Sequence, residues 1–311
     1  MHYTGTIWRP PYEASSLLLE VTAGCTHHKC KFCTLYHGLP FPFKLTPLDV
    51  IEQDLQEAQL RLTDPMALLS ARLQGLPRVD APQRVFLTGA NPFVLNFERL
   101  TAISALIHQY LPAVNSIGCF ARITDITAKT DAELAALRAT GYDGLTIGME
   151  TGDDDALRFM EKGYAAFDVQ KQCCRLDRAG IRYSLFYLAG ISGAGRGEAG
   201  AQATATLCNQ LRPTLIGVNM LTVCPEAPLY QEIQDGRWQE SSELEKYHEI
   251  RTLVEHLNIS TRFAALGASN AFQFQGVLPR DKKALLAELD SIIKTAGEAD
   301  LREYRVRLKH L

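Results

Sequence analysis

Short apolar runs alternate along the chain with segments that carry helix-capping signals, and this alternation restricts the possible folds more than any other feature. A buried parallel strand has a nearly continuous apolar sequence, because both of its faces are covered. Repeated strand and helix units predict a parallel sheet with right-handed crossovers, and hence an α/β protein. The predicted strands cover residues 15–22, 84–88, 116–121, 144–149, 183–189 and 215–223.

Capping residues mark where several of the helices begin. Thr46 and Asn96 are predicted N-caps, because a short polar side chain can accept hydrogen bonds from the first N–H groups of a helix. Thr130 and Ser242 are each followed three residues later by a glutamate, which is the capping-box pattern. The predicted helices cover residues 46–62, 97–110, 130–141, 155–162, 168–179, 199–211, 241–257 and 281–294, with a tail helix after them. Residues 63–83, with a helical fragment around residues 66–74, are predicted to be an insertion or a long connection.

The number of repeated units sets the predicted architecture. Six β/α units are too few for a complete eight-fold barrel, so the sequence predicts an open, partial (β/α)6 TIM-like barrel. Residues 1–240 are predicted to form this core. Residues 241–311 are predicted to form a C-terminal helical extension that packs on the core within a single structural unit, with an edge strand over residues 261–266.

Composition and charge narrow the classes of function. Of the 311 residues, 46% are apolar and 22% are charged, which is the balance of a globular enzyme that buries a large core. The net charge of −3 and the pI of about 6.3 differ from the basic character of a typical nucleic-acid-binding protein. The N-terminus lacks a signal-peptide pattern, and no apolar run reaches the roughly 18 residues of a membrane span. We therefore predict a cytoplasmic enzyme with no nucleic-acid partner and no membrane partner.

Three of the eight cysteines, Cys25, Cys30 and Cys33, lie within nine residues as C-x4-C-x2-C, directly after the first predicted strand. In a reducing cytosol, clustered cysteines bind metal or react more often than they form disulfides. A structural zinc site closes with four ligands, and no second pair is evident in the sequence. Iron–sulfur clusters also bind through cysteine thiolates. Three ligands from one loop therefore indicate a [4Fe-4S] cluster with one open iron, and zinc binding is the alternative.

The cysteine segment, which includes Phe32 immediately before the last cysteine, resembles the cluster loop of the radical S-adenosylmethionine (radical SAM) superfamily. Most members have three residues between the first two cysteines, whereas the four found here resemble a branch of stand-alone radical SAM proteins. The similarity of motif order extends from about residue 17 to about residue 290. The resemblance implies the same partial barrel, a [4Fe-4S] cluster held by Cys25, Cys30 and Cys33, and S-adenosyl-L-methionine as the second cofactor.

Glycine-rich loops after two predicted strands match cofactor-binding loops of this superfamily. Gly89, Ala90 and Asn91 stand where relatives have two glycines and a glutamate near the methionine amino group, so Ala90 and Asn91 are departures. Gly190 and Gly193 match a glycine-rich motif whose backbone packs near the adenine. Glycine permits such an approach because it has no Cβ. The alternative for the 89–91 loop is a simple turn between a strand and a helix.

Three other residues are implied cofactor contacts. Arg122 follows the third strand and Glu150 ends the fourth, at positions that contact the cofactor's carboxylate and its ribose or amino group. An arginine can bind both oxygens of a carboxylate. Burying Glu150 is costly without a partner, so we expect it to pair with a cationic ligand or with Arg122; a purely structural ion pair between the two is the alternative. Phe32 is expected to offer its ring or backbone to the adenine.

Two residues are candidates for the substrate side of the site. Cys224 directly follows the sixth strand, within a segment that keeps much of a proline-rich string found in relatives. A thiol there either contacts the substrate or is a buried structural cysteine. Asn270 lies in the C-terminal part, which we expect to close the barrel mouth and line the substrate pocket.

The resemblance also implies a reaction. An electron from a reduced flavodoxin or ferredoxin splits the sulfonium of S-adenosylmethionine, and in most members the 5′-deoxyadenosyl radical then abstracts hydrogen from the substrate. One alternative is cleavage of another C–S bond, which yields a 3-amino-3-carboxypropyl radical for transfer to an acceptor. An alternative of a different class is a non-catalytic iron–sulfur or zinc-binding protein.

Overall fold

The computed structural model describes residues 1–74 and 81–308, so the predicted connection over 63–83 lies partly outside the described residues. Contacts divide the chain into two compact units. The first unit comprises Met1–Thr26, Leu39–Leu145 and Ala179–Ile181, and the second comprises His27–Gly38, Thr146–Arg178 and Arg182–Leu311. The predicted division at residue 240 stays a prediction.

The described residues form strands and helices that alternate through most of the chain. The strands are β1 Leu17–Glu20, β2 Thr22–Gly24, β3 Phe43–Leu45, β4 Arg84–Thr88, β5 Ser116–Ala121, β6 Tyr142–Glu150, β7 Tyr183–Ala189, β8 Leu215–Met220, β9 Thr261–Ala265 and β10 Phe274–Leu278. The helices are α1 Leu48–Thr63, α2 Pro65–Leu73, α3 Phe97–Tyr110, α4 Ile123–Thr127, α5 Asp131–Ala139, α6 Asp154–Phe159, α7 Ala166–Ala179, α8 Gly197–Cys208, α9 Pro228–Gln234, α10 Glu243–His256, α11 Lys282–Thr295 and α12 Glu298–Arg307.

In the first unit, β4 pairs in parallel with β1 on one side and with β5 on the other. The strands are buried because their residues are apolar on both faces, as with Leu87 and Ile117. The short antiparallel hairpin β2–β3 flanks the cysteine segment and was not predicted. The helix prediction was wrong at Thr46: Pro47 occupies the cap position of α1, and the Thr46 N–H donates to Val21 O, which ties it to the hairpin instead.

Other predicted caps are confirmed. The Asn96 side chain accepts a hydrogen bond from the Arg99 N–H at the start of α3. Thr130 with Glu133 caps α5, and Ser242 with Glu245 caps α10, each as a reciprocal capping box. The capping residues therefore predict correctly where these helices begin.

In the second unit, β7 and β8 pair in parallel along their whole length, and β9 continues the sheet in parallel beside β8. Strand β10 pairs antiparallel with β9 and was not predicted. The predicted edge strand over 261–266 was therefore wrong in its position, because β9 has a strand on each side. The predicted helices of the C-terminal part are confirmed as α10, α11 and α12.

The strand β6 begins in the first unit and ends in the second. In hydrogen-bonding order the sheet reads β1-β4-β5-β6-β7-β8-β9-β10, and its described pairs are parallel except for the last. The predicted α/β class with a mostly parallel sheet is confirmed. Within the ranges that the structure covers, no helix is long and apolar enough to cross a membrane.

Candidate functional site

The first cysteine follows a glycine that no other residue can replace without strain. Gly24 has φ of +80°, and a Cβ built there would lie 2.2 Å from the carbonyl oxygen of Pro42. The next residue is held by the same group, since the Cys25 N–H donates to Pro42 O at 2.8 Å. The Ala90 N–H, from the loop after β4, donates to Gly24 O at 3.3 Å. The hairpin and this loop therefore fix the backbone at Cys25.

Replacing Gly24 with alanine is expected to displace Cys25. The left-handed conformation and the overlap with Pro42 should lower the free energy of unfolding by about 2 kcal/mol or more. Iron bound per chain after anaerobic reconstitution should fall with it, as measured by a colorimetric iron assay. Gly38→Ala is the matched control, because a Cβ at Gly38 meets no atom within 4 Å among the described residues. Equal iron content and equal stability in the two variants would contradict this account of the Gly24 contact.

The second half of the cysteine segment is held by Met160, directly after α6, and by the helix α9. The Lys31 N–H donates to Met160 O at 3.2 Å, and Lys31 O accepts from the Leu229 N–H at 2.8 Å. The Lys31 ammonium pairs with the Glu232 carboxylate at 2.8 Å. Contacts on both sides of one residue thus fix the loop between Cys30 and Cys33.

Phe32 is a core residue in this structure, with 7% of its surface exposed. Cys30 and Cys33 pack against its apolar cluster. The other buried members of that cluster are Met160, Leu188, Ile191, Leu221 and Leu229. The ring therefore anchors the loop that carries the last two cysteines, and a contact of Phe32 with adenine stays a prediction.

Glu150 forms an ion pair with Lys162, a residue that the sequence analysis did not consider. Glu150 Oε1 and Lys162 Nζ are 2.9 Å apart, and both residues are largely shielded from solvent. The ammonium also lies 5.7 Å from the centroid of the Phe32 ring. Burial alone would lower the pKa of Lys162, but the Glu150 carboxylate, together with Tyr164 and Cys30, more than offsets it, so the pKa lies well above its ordinary value. Lys162, and not Arg122, is therefore the cation that pairs with Glu150 in this structure.

Backbone strain is concentrated in the cysteine segment, at the end of β6 and just after α6. Among the described residues other than glycine, positive φ angles occur at His28 (47°), Glu150 (67°) and Glu161 (56°). Such conformations cost about 1–3 kcal/mol each and persist where the surroundings enforce them, often at functional sites. His27 Nε2 lies 2.6 Å from Glu161 O, within hydrogen-bond distance. Glu161, which is strained, therefore makes this contact, and the strained residue His28 directly follows its partner.

A buried polar cluster holds the loop after β4 in the first unit. Asn91 is fully buried, and its amide donates to Thr26 Oγ1 at 2.9 Å and to Asp125 Oδ1 at 3.1 Å. The Arg122 N–H donates to Asp125 Oδ2 at 2.8 Å. Burial raises the pKa of Asp125 to about 6. A glutamate at position 91 would face this carboxyl group with a like charge, whereas the Asn91 amide donates to it.

The glycines of the two loops contact other parts of the protein. A Cβ on Gly89 would lie 2.0 Å from Thr22 Oγ1. In the second unit, a Cβ on Gly190 would lie 2.9 Å from Lys246 Cε, and one on Gly193 would lie 3.0 Å from Trp238 Nε1. Packing within the protein therefore explains why these positions are glycine, and the predicted cofactor contacts of Gly89, Gly190 and Gly193 stay predictions.

The sequence profile of the radical SAM superfamily matches residues 19–196, which is more than half of the chain and includes all three clustered cysteines. The chain belongs to the radical SAM superfamily. The protein is thus an enzyme, and the cofactors of its superfamily are a [4Fe-4S] cluster and S-adenosylmethionine. No curated protein sequence matches the chain at a significant level.

Several solved structures share the fold. Coproporphyrinogen III oxidase (HemN) from Escherichia coli is 14% identical, with a TM-score of 0.55 over 77% of this chain and 51% of that one. Methylornithine synthase (PylB) is 15% identical, with a TM-score of 0.52 over 93% and 85%. The methyltransferase TsrM from Kitasatospora setae, solved with tryptophan and a SAM analogue, is 17% identical with a TM-score of 0.50 over 72% and 40%. The chain spans about half or less of HemN and TsrM, and at these identities the likeness shows the fold alone.

The three clustered cysteines offer the donor type that an iron–sulfur cluster takes, because they are thiols and not disulfides. Cys25, Cys30 and Cys33 are half-buried thiols, and none of the chain's eight cysteines, all within the described residues, forms a disulfide. As the described side chains are placed, no three or more from Cys, His, Asp and Glu form a group that could hold a metal ion. The ligand roles of these cysteines therefore stay predictions from the sequence and enter the proposal below.

The structure places the two substrate-side candidates of this radical SAM protein after strands of the second unit. Cys224 is half-buried in the loop between β8 and α9. Asn270 is 1% exposed, and its amide donates to Val218 O at 2.9 Å and to Gly267 O at 3.2 Å. Asn270 thus ties its own loop to β8, and contact of either residue with substrate stays a prediction.

Proposed function

We propose that this radical SAM enzyme cleaves S-adenosylmethionine reductively to a 5′-deoxyadenosyl radical, which abstracts hydrogen from a small-molecule substrate. The observation that carries the proposal is the superfamily match over residues 19–196, which contains the C-x4-C-x2-C segment. In the proposal Cys25, Cys30 and Cys33 hold the [4Fe-4S] cluster through their thiolates. When bound, the cluster supplies the electron that splits the sulfonium.

Charged residues of the chain are proposed to bind the amino-acid end of S-adenosylmethionine. The buried Lys162 ammonium is suited to the carboxylate, and Glu150, 2.9 Å from it, is suited to the amino group. Arg122 is proposed as a further carboxylate donor, and the backbone of Gly89, Ala90 and Asn91 as the wall beside the methionine. Burial strengthens these charge interactions because water does not screen them.

Besides S-adenosylmethionine, the proposal includes two partners and a cellular location. A reduced flavodoxin or ferredoxin provides the electron, since the chain holds cysteines for one cluster segment and the reaction consumes an electron. The substrate is a small molecule that meets the radical near Cys224 and Asn270. A cytoplasmic location is proposed because a reducing compartment keeps clustered cysteines as thiols that can bind metal.

Product analysis tests the function. The protein is reconstituted anaerobically with iron and sulfide, reduced with dithionite and incubated with S-adenosylmethionine, and nucleosides are separated by liquid chromatography with mass spectrometry. We expect 5′-deoxyadenosine. Methylthioadenosine as the main product would instead indicate transfer of a 3-amino-3-carboxypropyl group. If the purified protein holds stoichiometric zinc and its spectrum does not respond to S-adenosylmethionine, the result would indicate a non-catalytic metal-binding protein.

A further inference from the structure

The glycine-rich loop between β7 and α8, residues 190–197, is held by α10 and the segment before it. Gly190, Gly193 and Gly195 have φ of +91°, +84° and +70°, so the loop has a backbone that other residues rarely adopt. The Ala194 N–H donates to Gln239 O, and the Gly195 N–H donates to Glu245 Oε1, both at 2.9 Å. These supports lie more than forty residues later in the chain, outside the helix that follows the loop.

One carboxylate on α10 contacts both ends of the loop. Glu249 is completely buried, and its Oε2 accepts a hydrogen bond from the Gly190 N–H at 2.8 Å. At the other end, a Cβ built on Gly197 would lie 2.6 Å from the same Oε2. The second oxygen, Oε1, accepts a hydrogen bond from the Tyr187 hydroxyl on β7. The strand, the loop and the start of α8 therefore meet at Glu249.

Keeping a carboxylate at this position is costly. Both of its hydrogen-bond donors are neutral, and Lys246, one turn earlier on α10, pairs with Glu240 at 3.2 Å and with Glu243 at 3.1 Å. Burial raises the pKa of Glu249 to about 7. Burying a carboxyl group whose hydrogen bonds come from a hydroxyl and a backbone N–H costs desolvation free energy, and buried, perturbed carboxyl groups are common at functional sites.

We propose that Glu249 is a positioning residue, which fixes the Gly190 peptide and so holds the glycine-rich loop in the conformation that receives the nucleoside of S-adenosylmethionine. This inference rests on the proposed function, because that function gives the loop its ligand. Glu249 acts through the backbone of Gly190 and does not itself touch the cofactor. Its effect is therefore expected on cofactor affinity and not on cluster content.

Three variants separate positioning from general packing. Glu249→Leu keeps the volume but removes both acceptors, and Glu249→Gln keeps one carbonyl acceptor. Tyr187→Phe is the matched control, since it removes the other hydrogen bond to the same carboxylate and leaves the Gly190 contact. The holoprotein of each is compared with wild type by equilibrium dialysis with S-adenosylmethionine and by hydrogen exchange of the peptide over residues 188–196.

Glu249→Leu is expected to raise the Kd for S-adenosylmethionine by about tenfold or more, the equivalent of one hydrogen bond to a charged group. Exchange in the loop peptide should become faster, while iron content stays at the wild-type level. Tyr187→Phe should change the Kd by less than about twofold, and Glu249→Gln should lie between the two.

An unchanged Kd in Glu249→Leu, or an equal loss in Tyr187→Phe, would overturn the inference. If Glu249→Leu does not fold, the same comparison is made with Glu249→Ala, which also removes both acceptors, and an unchanged Kd there overturns the inference as well. If wild-type protein does not bind S-adenosylmethionine, the proposed function fails, and hydrogen exchange alone decides whether Glu249 positions the loop. The two failures are therefore distinguishable.

Discussion

A variant in which Cys25, Cys30 and Cys33 are all replaced by alanine is expected to retain no cluster and to form no 5′-deoxyadenosine. The three thiolates are the proposed ligands, and alanine offers the iron no donor atom. Each single replacement should also abolish cleavage, because a cluster with two protein ligands is labile. Iron and sulfide are measured per chain, and the cluster is followed by its absorbance at about 400 nm. The nucleoside product is measured after reduction.

Cys174→Ala is the matched control for the cysteine variants. Cys174 is also a half-buried thiol, but it lies on α7 and outside the cysteine segment. The Cys174→Ala variant should bind as much iron as the wild-type protein and give the same product. Retention of the cluster in the triple variant, or its loss in Cys174→Ala, would contradict the proposed ligand set.

Much of the fold follows from the sequence because several strands are buried on both faces. The ranges 84–88, 116–121 and 183–189 were predicted to the residue, since a continuous apolar run has clear limits. The hairpin β2–β3 was missed because its strands have three residues each, too few to show a period. Strand β10 was missed because its sequence, F-Q-G-V-L, contains a glycine and a glutamine and resembles a loop.

The candidate site was predictable only where its residues are neighbours in sequence. The three cysteines share one loop, and their spacing alone indicates a metal site. Lys162 lies twelve residues after Glu150, beyond a short helix, and no spacing rule links a strand end to that position. Glu249 is separated from Gly190 by 59 residues, so only the packing of α10 shows that they touch.

Replacing Lys162 with methionine is expected to lower the free energy of unfolding by about 3–5 kcal/mol, because it leaves the Glu150 carboxylate shielded and without its partner. The side chains of Lys162 and Glu150 are 6% and 15% exposed, so water can solvate the unpaired Glu150 carboxylate only in part. The affinity for S-adenosylmethionine should fall as well, since the ammonium is the proposed partner of the cofactor's carboxylate. Chemical denaturation measures the first effect, and equilibrium dialysis of reconstituted protein measures the second.

A double variant separates the ion pair from the binding role. Lys162→Met combined with Glu150→Gln removes both charges, and it should recover a part of the lost stability that is on the order of 1–4 kcal/mol. It should not recover cofactor affinity, because neither charged contact is restored. Arg158→Met is the surface control: its ion pair with Asp155 is exposed, with Arg158 75% accessible, and should contribute less than about 1 kcal/mol. A stability loss in Lys162→Met no larger than that of the control would show that the Glu150–Lys162 pair does not hold this part of the fold.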